Sequence, residues 1–193
     1  MIRRILFFGL LFPLIFGTLA EARVYLDINA PTFIQIPIVL AKWKSIEKTP
    51  PAFTAKVYEI LSDDLSLSGF FRVIGAPNLP ASLQQKEGIP DQLLLHEWQS
   101  TGGEILVAGE AFFDPQARSV RLKFHLFDLV EGKHLAGKQY EGSLSLLRYL
   151  VHRMADETIL HLTGERGVHT TKIAYTVAQG KGKEIFVADF DGA

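Results

Sequence analysis

Leu162-Thr163-Gly164-Glu165-Arg166-Gly167-Val168-His169-Thr170-Thr171-Lys172-Ile173-Ala174-Tyr175 is the stretch whose reading decides the fold. A long amphipathic helix ends at Gly164, where a glycine suits the left-handed position that closes a helix. The period then changes. Ile173-Ala174-Tyr175-Thr176-Val177 and Glu184-Ile185-Phe186-Val187-Ala188-Asp189 are short apolar runs on either side of Gly180-Lys181-Gly182-Lys183, which predicts a hairpin. The residues before the join close a small α/β domain. Those after it start an all-β unit that stops at Asp191-Gly192-Ala193, just past a turn signal, so the chain is expected to be a fragment of something longer.

Working back from the join, Ser143 can cap the last helix. Leu147, Val151, Met154, Ala155, Thr158 and Leu162 continue one face that starts at Leu144. Arg148, His152 and Asp156 share a second face, as do Arg153, Glu157 and His161. Upstream, Val120, Leu122, Phe124 and Leu126 alternate with Arg121, Lys123 and His125, the pattern of a strand with one buried face. Glu131-Gly132-Lys133 turns the chain into a strand from His134 to Glu141, and Glu104 to Glu110 is a buried-type strand. Asp91 caps a short helix through Trp98, after a loop from Pro77 to Pro90. Thr49-Pro50-Pro51 starts a helix with Thr49 as its capping hydroxyl; Phe53, Val57, Ile60, Leu61 and Leu65 line it, and Gly69 ends it before the strand Phe70–Ile74. Ile34 to Leu40 is an apolar run interrupted by Pro37, which places it at a sheet edge or makes it irregular. Arg23 to Ile28 is a first strand or an extended arm. The expected fold is a two-layer α/β sandwich of a mixed sheet with two long helices and one short one, followed by a hairpin.

The N-terminus lies outside that fold. Arg3 and Arg4 precede an apolar run from Ile5 to Leu19, and small residues follow at Thr18, Ala20 and Ala22. The run is short against the roughly 20 apolar residues of a membrane span, so it reads as a secretory signal peptide, cut after Ala20 or after Ala22. The 20 lysines and arginines include Arg3 and Arg4, which leaves 18 basic against 21 acidic residues in the mature chain, a balance of −3. Neither that balance nor any basic stripe suits nucleic acid. With no cysteine, the chain needs no disulfide in an oxidising compartment.

Catalytic patterns are missing. No Gly-x-Ser-x-Gly is present; Ser143 follows Gly142 but lacks the second glycine. The histidines at 96, 125, 134, 152, 161 and 169 are scattered, with no His-Glu-x-x-His. His152 and His161 point to opposite sides of their helix at about 100° per residue. Asp63 and Asp64 are adjacent on a helix, so they diverge rather than share a proton, and read as a solvated face. Gly180-Lys181-Gly182-Lys183 lacks the phosphate-loop pattern and precedes a strand. Trp43 and Trp98 read as packing residues. No enzyme chemistry, metal or cofactor is expected; the residues describe a scaffold or interaction module.

The join, with Leu162-Thr163-Gly164-Glu165-Arg166-Gly167 as its most specific part, resembles the TolB family of the periplasmic Tol–Pal envelope system. The likeness extends to Arg23-Val24-Tyr25-Leu26-Asp27, to Asp64-Leu65-Ser66-Leu67-Ser68-Gly69-Phe70-Phe71-Arg72-Val73, to Leu106-Val107-Ala108-Gly109, and to Leu147-Arg148 and Ala155-Asp156-Glu157. Lys183 to Gly192 resembles the second half of a propeller hairpin.

The resemblance implies a signal peptide over 1–20, an N-terminal α/β domain over 21–166, and the start of a truncated β-propeller over 167–193. It implies a non-enzymatic periplasmic scaffold that supports outer-membrane integrity and envelope constriction at cell division. The mature N-terminal segment, Glu21, Ala22, Arg23, Val24, Tyr25, Leu26 and Asp27, would bind the C-terminal domain of TolA; the propeller, here mostly missing, would bind the lipoprotein Pal. That alignment favours cleavage after Ala20. It also implies that residues from about 168 on are loosely held. A rival reading is the N-terminal part of a secreted propeller-containing hydrolase, which the α/β domain ahead of the propeller does not fit. A ligand-binding domain with Pro77–Pro90 as a lid lacks convergent polar chemistry.

Overall fold

The computed structural model describes residues 34–180 and 182–192. The expected signal peptide, the expected strand or arm Arg23–Ile28 and the segment Glu21–Asp27 expected to bind TolA lie outside the described residues. Strand β1 (Ile36–Leu40) and the short β2 (Lys44–Ser45) precede helix α1 (Pro51–Leu67) and β3 (Phe71–Ile74). Two short helices follow, α2 (Ala81–Gln84) and α3 (Leu95–Gln99), then the meander β4 (Ile105–Asp114), β5 (Ser119–Asp128) and β6 (Lys133–Ser143). Helix α4 (Leu147–Thr163) leads to the hairpin β7 (Lys172–Gln179) and β8 (Gly182–Asp189).

The main sheet runs β3-β1-β4-β5-β6, with β2 added to β4. β1 is parallel to β3 and β4, while β4, β5 and β6 are antiparallel, so the sheet is mixed as expected. Period two divides its side chains between two faces. Ile38, Leu40, Val107, Leu122, Phe124 and Leu126 join Val57, Leu61, Leu65, Val151 and Met154 in a core beneath α1 and α4. Val39, Leu106, Phe127 and Leu129 face the other way, under Leu83 of α2 and Leu95 and Trp98 of α3. The short helices are therefore a partial third layer, and the described residues hold one more α-helix than the sequence predicts. Trp43 and Trp98 are both buried packing residues.

Pro37 contradicts the edge expectation, because β1 lies between two strands. Successive residues of β1 turn their polar groups to alternate neighbours. The Ile36 amide bonds Phe70 O on the β3 side, whereas the Pro37 carbonyl accepts from Glu104 N at 2.8 Å on the β4 side. Pairing with β4 begins only at Ile38 opposite Ile105. The proline ring, although within the pairing with β3, thus falls before the ladder with β4 starts, on the side where no donor is required.

Two caps also differ. Thr49 Oγ1 makes no cap bond to α1; it accepts the Phe113 amide of β4 at 2.9 Å. Ser143 pairs with Ser119 as the last residue of β6, which delays α4 to Leu147. Asp91 does act at the following turn, where its Oδ1 accepts the Leu93 amide at 3.1 Å. Gly69 and Gly164 have φ of 76° and 77°, the left-handed geometry expected where the two long helices end.

Candidate functional site

The segment from Gly164 to Lys172 is fastened to the α/β domain by one carboxylate. Asp156 sits on α4, two turns before its end. Its Oδ1 accepts the His169 amide at 2.9 Å and His169 Nδ1–H at 2.9 Å. Its Oδ2 accepts the Thr170 amide at 3.2 Å and the Thr170 hydroxyl at 2.9 Å. Gly167 permits this approach, because the backbone there passes directly over Asp156.

The His169 ring continues across to α1. Its Nε2 lies 2.8 Å from the Asp64 main-chain oxygen, and the residue is 1% exposed. Both ring nitrogens therefore face acceptors. A neutral imidazole carries one N–H, so the imidazolium alone satisfies both bonds. Burial by itself would depress the His169 pKa. The Asp156 hydrogen bond, the carboxylates of Asp64 and Asp156 and the Asp64 carbonyl outweigh it and hold the pKa above the usual histidine value. Burial would likewise raise Asp156, but the bonds from His169 and Thr170 hold that carboxyl below its usual range.

A second connection runs beside the first. His152 of α4 donates Nδ1–H to Asp64 Oδ2 at 2.7 Å, and its Nε2 lies 3.8 Å from Asp191 Oδ2, just past β8. The Arg148 guanidinium bonds the same Asp191 carboxylate and lies 4.0 Å from Asp189. Lys172 pairs with Asp189 across the hairpin. Phe190 turns its ring against His169, with centroids 5.1 Å apart. The hairpin's two ends are thus held to one face of α4, the Arg148-His152-Asp156 face.

Asp64 overturns the solvated-face expectation: it is 0% exposed and hydrogen-bonded to His152. Asp64, His152 and Asp191 each bring a possible ligand atom within 4.8 Å of the other two. His152 Nδ1 and Asp64 Oδ2 bond each other and Arg148 lies against Asp191, while Asp64 Oδ1 and His152 Nε2 are buried with no hydrogen-bond partner among the described residues. Asp64, His152, Asp191 and Arg148 thus form one chain of polar contacts between α1, α4 and the end of the hairpin. His125 and His134, separate in the sequence, also meet, with Nδ1 and Nε2 2.8 Å apart across β5 and β6. The Arg148-His152-Asp156 stripe was visible in the sequence; its partners Asp64, His169 and Asp191 were not, because they lie on other elements.

The family model of the TolB amino-terminal domain matches residues 24–135. The chain belongs to the TolB family. A relative from Syntrophus aciditrophicus named Tol-Pal system protein TolB is 30% identical over 170 residues, which is 87% of this chain and 37% of that protein. One of the same name from Polaromonas naphthalenivorans is 32% identical over 174 residues, 90% of this chain and 38% of that protein. The chain spans about two fifths of the length of these TolB relatives. The crystal structure of TolB from Acinetobacter baumannii shares the fold, with a TM-score of 0.66 and 22% identity over 82% of this chain and 37% of that one. Among the described residues, no helix of this TolB family member is long and apolar enough to cross a membrane.

Proposed function

We propose that this chain is the N-terminal part of a non-enzymatic periplasmic scaffold of the Tol–Pal system, which supports outer-membrane integrity and envelope constriction at division. Residues 1–20 are its signal peptide and residues 21–166 its α/β domain. The observation that carries the reading is the family match over residues 24–135. The site adds a physical reason: the conspicuous polar residues of α4 are spent on holding the join, not turned toward a substrate.

In this reading Glu21-Ala22-Arg23-Val24-Tyr25-Leu26-Asp27 binds the C-terminal domain of TolA by adding a strand to its sheet, with backbone bonds supplying affinity and alternate side chains supplying register. The hairpin opens a propeller that binds Pal. Ile173, Tyr175 and Val177 are exposed on one face of the hairpin and Ile185 and Val187 on the other, as suits strands that pack against further β-structure. Titration of the purified TolA C-terminal domain into the chain beginning at Glu21 tests the function. Saturable binding supports it; no heat and no spectral change at high micromolar concentration would sink it.

A further inference from the structure

We infer that His169 is a proton-operated clasp: its imidazolium bridges the Asp156 carboxylate of α4 to the Asp64 carbonyl of α1, and loss of its proton releases the segment leading into the hairpin. The inference deepens the scaffold reading by naming how the join would be regulated, and rests on that reading only for its consequence in the cell.

The geometry carries it. The two ring bonds, at 2.9 and 2.8 Å, both end on acceptors that cannot donate. Removing one proton leaves a nitrogen lone pair against either a carboxylate or a carbonyl oxygen, in a site sealed from water. A buried acceptor left without its donor is unfavourable, and the ring relieves that cost by moving out. The consequence is local. Asp156 also holds the His169 and Thr170 amides, so the same movement loosens the backbone entering β7. Phe190 rests on the ring, so the segment leaving β8 is affected as well.

The charges facing His169 favour the proton. From α4 comes Asp156; from α1 comes the Asp64 carboxylate, itself bonded by His152. At the end of β8 and just past it lie Asp189 and Asp191, with Arg148 against them. The carboxylates around the join thus invite a cation at the His169 ring, which bonds both α4 and α1.

Amide hydrogen exchange of the purified chain from pH 5.5 to 8.5, corrected for the intrinsic rate and read beside the NMR titration of the His169 ring, tests the clasp without any partner. The expected result is a ring protonated on both nitrogens at pH 5.5, and protection over residues 168–192 that falls fivefold or more as the ring titrates. Protection of α1, β4 and β5 stays unchanged, and His169→Gln flattens the profile. A His169 ring with a single N–H at pH 5.5, or hairpin protection that follows β4 and β5 at every pH, would overturn the inference. Either failure leaves the TolA reading standing, and absent TolA binding leaves the clasp standing.

Discussion

A Cβ at Gly167 would stand 2.2 Å from Asp156 Oδ1 and 2.6 Å from the Asp156 Cα. The second contact is with backbone, which cannot swing aside. Gly167→Ala should therefore lift Val168–Thr170 off α4 and cost about 1–3 kcal/mol, the range for overpacking a close contact. A thermal scan checks this, with hydrogen exchange at the Thr170 amide. An unchanged transition and unchanged protection would show that the join does not need this approach.

Asp156 receives four hydrogen bonds from two consecutive residues. Asp156→Asn keeps the size but turns an amide NH2 toward donors. The expected loss is about 2–3 kcal/mol near pH 6, the scale of bonds to a charged group. A double-mutant cycle with His169→Gln should show strong coupling, since both changes break the same contact. Simple additivity would mean that the two side chains act independently.

These residues mark where the sequence was legible. α1, α4 and β5 announced themselves because each carries a long run of one period. Gly69 and Gly164 announced their ends by backbone geometry alone. Asp64 was not legible as buried, since its hydrogen-bond partner, His152, lies 88 residues away. Pro37 misled for a related reason: local sequence cannot say where a neighbouring strand begins its ladder. Thr49 and Ser143 look like helix caps from their neighbours, yet β4 and β5 compete for them and win. The face Arg148-His152-Asp156 was read correctly as a face, but its role depends on residues that only the folded chain delivers.

The pH dependence has a sign for each group. The Asp156 pKa is depressed on folding, so its stabilisation is present above the unfolded value near 3.8 and is lost as pH falls through the lower folded value. The His169 pKa is raised, so its stabilisation is complete below 6.5 and is lost as pH rises through the folded value. The join should be tightest between about pH 4 and 6.5. His125 works the other way: burial and the nearby His134 depress its pKa, so it weakens the fold at low pH. The useful quantity is thus the Tm of the wild type minus that of His169→Gln, which should shrink from pH 5.5 to 8.5. A constant or growing difference would contradict the sign.

Trp98 fills the core on the far face of the sheet and is 1% exposed. Trp98→Ala should cost about 3–5 kcal/mol and lower the denaturant midpoint accordingly. A loss under about 1 kcal/mol would mean that the short helices merely lie on the sheet instead of completing its core.

If Glu21–Asp27 binds TolA and the join only holds the fold, removing the arm abolishes binding and spares stability. Calorimetric titration of the TolA C-terminal domain against the chain beginning at Glu21, and against the same chain lacking Glu21–Asp27, tests it most directly. The expected result is saturable binding by the first, none by the second, and thermal transitions within a few degrees of each other. Equal TolA affinity in the two proteins would contradict it.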